Sequence, residues 1–332
     1  MKKFDFVSIG DIATDAFIKL GSASGADTHK DGDKHREELC ISFGDKIPYE
    51  FVKVVSAVGN STNAAVAAAR LGLTSANITN QGADEVGEKN LVSLEANNVS
   101  TDYVFTHKDM QSNYHYVLWY EAERTILVNH EAYPYVMPTD FTANWLYLSS
   151  LGGTSEAFHG DIEKYLADHK DVNLAFQPGT FQINLGAEKL KNIYQRTNIF
   201  FCNKEEAQKI LGSDEEDIKK LMSSLRALGP KIVVITDGPS GAYVDNGEKV
   251  WFIPPYPDIA PPYERTGAGD AYASTIVSVI AMGKTLEESL LWGPVNSMSV
   301  VQKIGAQEGL LKQAEILDYL AKAPVDYKLR EI

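Results

Sequence analysis

The stretch NIFFCNKEEAQKILG, residues 198–212, sets a short, wholly apolar run directly against a charged segment with helical spacing. Ile199 to Cys202 are apolar at every position, the pattern of a strand covered on both faces. The same unit recurs in both directions. Upstream stand VNLAFQP (172–178) and WLYLSSLGG (145–153), and downstream KIVVITDG (231–238), each bounded by turn residues. Helical stretches follow them near 155–169, 187–195, 203–212 and 214–228. Toward the N-terminus, FDFVSIG (4–10) and SANITNQG (75–82) read as strands. STNAAVAAARLG (61–72) reads as a helix stopped by Gly72, and DEVGEKNLVSLEANN (84–98) as a helix with a charged outer face. Helical patterns at 268–283, 286–303 and 313–323 close the chain. This alternation predicts an α/β fold over residues 1–332: a doubly wound, mostly parallel sheet with helices on both faces, in a single domain.

Two segments break the rhythm. Residues 16–57 hold a polar stretch and then LCISFGDKIPYEFVKVV, which alternates like paired strands, and residues 101–130 include SNYHYVLWYEAERTILVNH, two strand-like runs around a charged turn. Together they predict a small β-sheet lid beside the main sheet. Tyr114 and Tyr116 share a strand face, suited either to packing within the lid, to covering a flat base or sugar, or to pairing lids in a homodimer. Asp27, His29, Asp31, Gly32 and Glu38 have nearly the spacing of a calcium loop. No helices flank them, so a solvated insertion is the better reading.

The 332 residues are 44% hydrophobic and 23% charged, ordinary for a globular protein, with a net charge of −14. So acidic a surface repels phosphate backbones and anionic headgroups, which argues against nucleic-acid and membrane partners. Only two cysteines occur, Cys40 and Cys202, far apart. With no signal-peptide pattern and no apolar run of spanning length, the expectation is a reducing, cytoplasmic setting.

The chemistry is expected at TGAGD (266–270), which opens the helical stretch AYASTIVSVIAMG. Gly267 and Gly269 allow a tight turn, and the uncovered N–H groups of a helix start attract an anion. A carboxylate is out of place in a simple phosphate cradle. It fits if Asp270 removes a proton from an attacking hydroxyl while the amides hold charge on a phosphoryl group. The plainer alternative is a glycine-rich cap with an acid in the first turn.

In this context the chain resembles the ribokinase-like (PfkB) kinases along its whole length. The resemblance rests on ERTGAGD (264–270), VGNSTNAA (58–65), the segment 81–104, CNKEE (202–206) and TDGPSGA (236–242), all in the family's order. It implies an ATP-dependent phosphotransferase acting on a hydroxyl of a small sugar or nucleoside, with Mg²⁺ accompanying ATP. By the same resemblance Asp270 is the base, and Gly267, Ala268 and Gly269 form the anion hole. Asn203, Thr236, Gly238 and Gly241 lie along ATP, and Glu206 holds Mg²⁺ through water, although Asn203 and Glu206 also read as a capping box. In NSMSVVQKIGA (296–306), Asn296 and Gly305 match the adenine side, or else a buried helix and its stop. Asp15, read as the tip of the first strand, matches the residue that grips sugar hydroxyls, with Gly59 and Asn63 beside it and Asp11 nearby.

Departures from the family pattern mark two positions. Val58 replaces a glycine. Glu264 replaces aspartate, and its longer side chain puts the family's monovalent-cation (K⁺) site in question. Both departures favour the rival reading, a non-catalytic small-molecule-binding protein on the same fold. The intact Gly267–Asp270 turn and the Asn203/Glu206 pair favour the kinase.

Overall fold

The computed structural model describes residues 1–21, 27–31, 36–120 and 123–332, without the side chains of 27–31, 36 and 37. In chain order the first half comprises β1 (Lys2–Ile9), β2 (Ala13–Leu20), β3 (Asp27–Asp31), β4 (Arg36–Cys40), β5 (Tyr49–Val58), α1 (Asn60–Arg70), β6 (Ser75–Gly82), α2 (Glu85–Ala96), β7 (Val99–Ser100), β8 (Val104–His107), β9 (Tyr114–Tyr120), β10 (Glu123–Leu127) and β11 (Phe141–Leu148). Then come α3 (Glu156–Asp168), β12 (Asn173–Phe176), α4 (Thr180–Leu185), α5 (Lys191–Arg196), β13 (Ile199–Asn203), α6 (Lys204–Leu211), α7 (Ile218–Ala227), β14 (Ile232–Thr236), β15 (Ala242–Asp245), β16 (Val250–Ile253), α8 (Ala268–Ala281), α9 (Leu286–Val300), α10 (Gln313–Ala321) and β17 (Arg330–Glu331).

The main sheet runs β17-β16-β15-β14-β13-β12-β11-β1-β6-β7, with β8 also paired to β6. From β14 to β6 every pairing is parallel, and at the other end β15, β16 and β17 run antiparallel. The apolar runs bury both of their faces. On β13, Phe200 and Cys202 join the core beneath α3, α5 and α7, while Ile199 and Phe201 join the core beneath α1, α8 and α9. The chain leaves β1 toward β6 but leaves β11 toward β12, so the strand order reverses between β1 and β11. At such a reversal the loops beyond the carboxyl ends part and leave a crevice, the usual ligand site of an open α/β sheet.

A second sheet, β10-β9-β2-β5, stands over that crevice. Its limits differ from those expected. It begins at Ala13 rather than 16, and Val104–His107 extends the main sheet by pairing with β6. Asp15 therefore lies within β2, opposite Val55 and His115, and not at the tip of the first strand. The alternation that buries Val117 and Trp119 turns Tyr116 outward, where it is 49% exposed. The antiparallel edge and α4 are unexpected additions, because short strands and a six-residue helix carry little periodic signal. β3 and β4 form a separate hairpin. The calcium-like spacing from Asp27 to Glu38 falls largely outside the described residues. Among the described residues no helix is long and apolar enough to cross a membrane, and Cys40 and Cys202 are both free.

The small sheet meets the body at Ala57, a non-glycine residue held at φ 57°. That conformation is costly for alanine, and here two side-chain amides impose it. Ala57 N–H donates to Asn90 Oδ1 at 2.7 Å, and Gln307 Nε2 donates to its carbonyl at 2.6 Å. Asn90 Oδ1 also accepts from the Thr14 hydroxyl of β2, at 3.0 Å. Asn90→Ala leaves two buried donors unpaired and should lower the unfolding free energy by about 2 kcal/mol, read from urea denaturation.

Candidate active site

Helix α8 begins where the TGAGD turn places it, with Gly267 as its N-cap at φ 80°. A Cβ there would lie 2.2 Å from Ala306 Cβ, so the turn and the 305–307 loop fit only with glycine. The first α-helical bond runs from Ala271 N–H to the Gly267 carbonyl. The amides of Gly269 and Asp270 come before it and open toward the crevice, where Gly267, Gly269 and Asp270 line one wall.

Asp270 is buried, 8% exposed, and its carboxylate is held by three side-chain amides. Oδ1 accepts from Asn60 Nδ2 at 2.9 Å and Gln177 Nε2 at 3.2 Å, and Oδ2 accepts from Asn63 Nδ2 at 2.8 Å. Asn60 and Asn63 share one face of the first turn of α1, delivered there directly from β5. Gln177 follows β12, and Tyr147 of β11 orients its amide by donating to Oε1, which leaves the NH₂ group aimed at Asp270. Burial pushes the Asp270 carboxyl above the ordinary aspartate range, and the Asn63, Asn60 and Gln177 donors pull it back. A carboxylate has about four lone-pair sites. Three are filled here, and the remaining one on Oδ2 is open to a hydroxyl.

Asn203 and Glu206 form the capping box of α6: Glu206 N–H donates to Asn203 Oδ1 at 2.8 Å, and Asn203 N–H donates to Glu206 Oε2 at 2.9 Å. The box and a role in the crevice coexist, since both residues also line it. Burial raises the Glu206 carboxyl, the Asn203 amide lowers it, and the nearby Asp270 charge raises it again. Two neighbouring carboxylates of this kind suit a cation arriving with phosphates. Among the described residues no three acidic, histidine or cysteine side chains gather to bind a metal on their own.

A second, contiguous cleft runs from Thr236, Gly238 and Gly241 past Ala268 and Gly269 to Pro254, Tyr256 and Met298. Gly241, at φ 102°, leaves space for the Ile253 carbonyl. Arg265, half exposed, borders both clefts. Two expected residues are not brought here. Asn296 is fully buried, its amide donating to Thr275 Oγ1 at 2.8 Å and its oxygen accepting from Leu311 N–H at 2.8 Å. Gly305 packs against Phe17 and Val55 of the small sheet. Both serve packing, as a buried helix and its stop would.

On the other side of Asp270 the crevice passes beneath the small sheet. Asp15 meets His115 at 3.1 Å, and the His115 and His130 rings stack at 5.1 Å. Asp11 sits just behind, accepting from the Tyr135 hydroxyl at 2.8 Å with His130 Nδ1 at 3.4 Å. Gly59, at φ 113°, packs where a Cβ would lie 2.4 Å from the Asp11 carbonyl. The Tyr114 and Tyr116 rings meet at a tilt, with centroids 5.2 Å apart, and Tyr116 lies on the opposite, solvent-facing side, so it does not cover a ligand. Sequence reading missed Asn60, Gln177, His115, His130 and Arg124. Strand parity points to His115, and the carboxyl end of β12 to Gln177; Arg124 carried no signal.

Glu264 is 2% exposed. Its Oε1 accepts from Thr266 N–H at 2.7 Å and from the Thr266 hydroxyl at 2.5 Å, Arg124 Nε stands 3.7 Å from the same oxygen, and Oε2 accepts from Gly305 N–H at 3.4 Å. A carboxylate already facing a guanidinium does not fit a K⁺ ion.

The model of the pfkB family carbohydrate kinases matches residues 41–313. Ribokinase of Bacillus subtilis is 27% identical over 270 residues, 79% of this chain and 87% of its own. An uncharacterized sugar kinase of Archaeoglobus fulgidus is 25% identical over 252 residues, 74% of this chain and 98% of its own. Arabidopsis thaliana ribokinase, solved with ribose and ATP, aligns over 96% of this chain and 99% of its own at TM-score 0.78 and 19% identity. The nucleoside kinase of Methanocaldococcus jannaschii aligns over 97% of this chain and 100% of its own at TM-score 0.77 and 17% identity. Both structures share this fold.

Gly267→Ala should force the 305–307 loop away from the turn and cost about 2 kcal/mol of stability, seen as a lower midpoint in urea.

Proposed function

Because the chain belongs to the pfkB carbohydrate kinase family, and is thus a phosphotransferase with an alcohol group as acceptor, we propose that it transfers the γ-phosphoryl group of ATP to a hydroxyl of a small sugar. The observation that carries this is the Asp270 carboxylate, fixed by three amides with one lone-pair site on Oδ2 turned to the crevice.

The roles follow from position. ATP lies along Thr236, Gly238 and Gly241, its γ-phosphoryl group against the Gly267–Ala268–Gly269 turn. The acceptor sits beneath the small sheet between Asp15, Gly59 and Asn63, with Asp11 behind. Asp270 takes the hydroxyl proton as the oxygen–phosphorus bond forms, and ADP leaves with the electrons of the broken phosphorus–oxygen bond. Charge growing on the phosphoryl oxygens meets amides already oriented by the helix start, in a site that excludes water, where such stabilisation is strongest. Mg²⁺, held through water by Glu206 with Asn203 beside it, would neutralise phosphate charge when bound. The small sheet acts as a lid whose closure keeps water from competing as acceptor.

A sugar suits the acceptor side better than a nucleoside. Asp15, His115, Asn60 and Asn63 offer hydrogen-bonding groups suited to sugar hydroxyls, beside the apolar Ile126, Val128 and Phe181, while Tyr116 of the lid turns outward and offers no stacking surface. The outer lid face carries Val52, Val54, Tyr116 and Leu127, each about half exposed, which supports a homodimer through the lids.

MgATP turnover against a panel of sugars and nucleosides tests the assignment, wild type beside Asp270→Asn. Turnover with a sugar, lowered about a hundred- to ten-thousand-fold in the variant while ATP binding persists, is the expected result. A variant as fast as wild type contradicts the role of Asp270, and preference for a nucleoside contradicts the acceptor class.

A further inference from the structure

We infer that Arg124, carried on the lid, is a positioning residue that supplies through its guanidinium the fixed positive charge the anion-hole loop needs, so that the enzyme works without a monovalent cation. The inference rests on the kinase reading of the site. It starts from a departure: Glu264 stands where the family pattern has an aspartate and puts the K⁺ site in question, and the structure places an arginine against it.

Three consecutive residues of the loop before Gly267 each meet the lid hairpin. The Tyr263 ring lies edge-on to Trp119 of β9, with centroids 5.0 Å apart. Glu264 faces Arg124 of β10 at 3.7 Å. Arg265 reaches Glu123 of β10 at 4.0 Å. Trp119 and Arg124 are directly opposed in the β9–β10 register, so the first two contacts belong to one cross-strand pair. Arg124 Nε is buried and makes no hydrogen bond among the described residues, and the carboxylate it faces, at 3.7 Å, is that of Glu264.

Glu264 in turn organises the loop. It ties Thr266 by backbone and side chain and reaches Gly305, next to the Ala306 against which Gly267 packs. A buried carboxylate left without a cation repels its surroundings and the incoming phosphates alike. Arginine stays charged throughout the working pH range, so the compensation does not depend on salt composition. Because the charge rides on the lid, it is in place only when the lid is docked. Docking of the lid and ordering of the anion hole are thereby linked.

The test compares wild type, Arg124→Gln and Arg124→Gln/Glu264→Gln in KCl, NaCl and tetramethylammonium chloride at equal ionic strength. Turnover and thermal melting are both measured. Wild type should show the same kcat and the same Tm in all three salts. Arg124→Gln should lose about tenfold in kcat with little change in KM for ATP, and K⁺ or added guanidinium ion should restore part of it. Its Tm should fall and should rise again in KCl, whereas the double variant, with no stranded carboxylate, should regain Tm in every salt. A K⁺ requirement in wild type, an unchanged kcat in Arg124→Gln, or a double variant melting as low as the single one overturns the inference. The melting comparison needs no acceptor, so it decides the role of the pair even if every acceptor on the panel fails.

Discussion

The buried Asp270 carboxylate, gripped by Asn60, Asn63 and Gln177, is the constraint to which the rest of the site answers. A carboxylate at a helix start gains from the dipole but loses hydration, and here burial dominates, raising its proton affinity. The amides soften that cost without neutralising the group, so it keeps both a charge and a free lone-pair site. Their placement explains much of the architecture. Asn60 and Asn63 need α1 to start immediately after β5, which requires Gly59 at positive φ and the left-handed Ala57 just before it. Gln177 needs Tyr147 beneath it to fix the direction of its amide.

The same arrangement reconciles an acidic chain with a phosphate-bearing substrate. The net charge of −14 is a property of the whole surface, while the crevice offers helix-start amides, Arg265 at its border and Arg124 against Glu264. Local fixed dipoles and charges within a few ångströms outweigh a screened distant field. The crevice lies at the reversal of strand order, so strands β11, β12, β13 and β14 each deliver a lining residue at the carboxyl end, Ser150, Gln177, Asn203 and Thr236, with Asp11 after β1 just behind.

Much of this was legible in the sequence, because it depends on local rules. Apolar runs such as 198–203 declare buried strands, and the glycines of 266–270 declare a tight turn into a helix. What escaped depends on partners far along the chain. Nothing near Gln177 announces that it meets Asp270, 93 residues away. Asp15 was placed one strand too early, since β1 and β2 are separated by only three residues. The tyrosines of β9 were visible, but which face they show depends on the register with β2. Asn296 and Gly305 matched a family pattern, yet Thr275, Leu311 and the lid already occupy them. The Arg124–Glu264 pair crosses 140 residues and joins two elements that sequence had assigned to different parts of the molecule.

The pH dependence of kcat/KM, in wild type and in Gln177→Leu, tests the central claim most directly. Glu206 on α6 is a charged neighbour of Asp270, and the Tyr147 hydroxyl donates to Gln177; neither donates to the carboxylate that Gln177 holds. Removing a donor from the ionised form must raise its pKa, so the acid limb should move up in the variant. An acid limb that stays in place, or moves down, would mean that the group titrating in catalysis is not the caged Asp270.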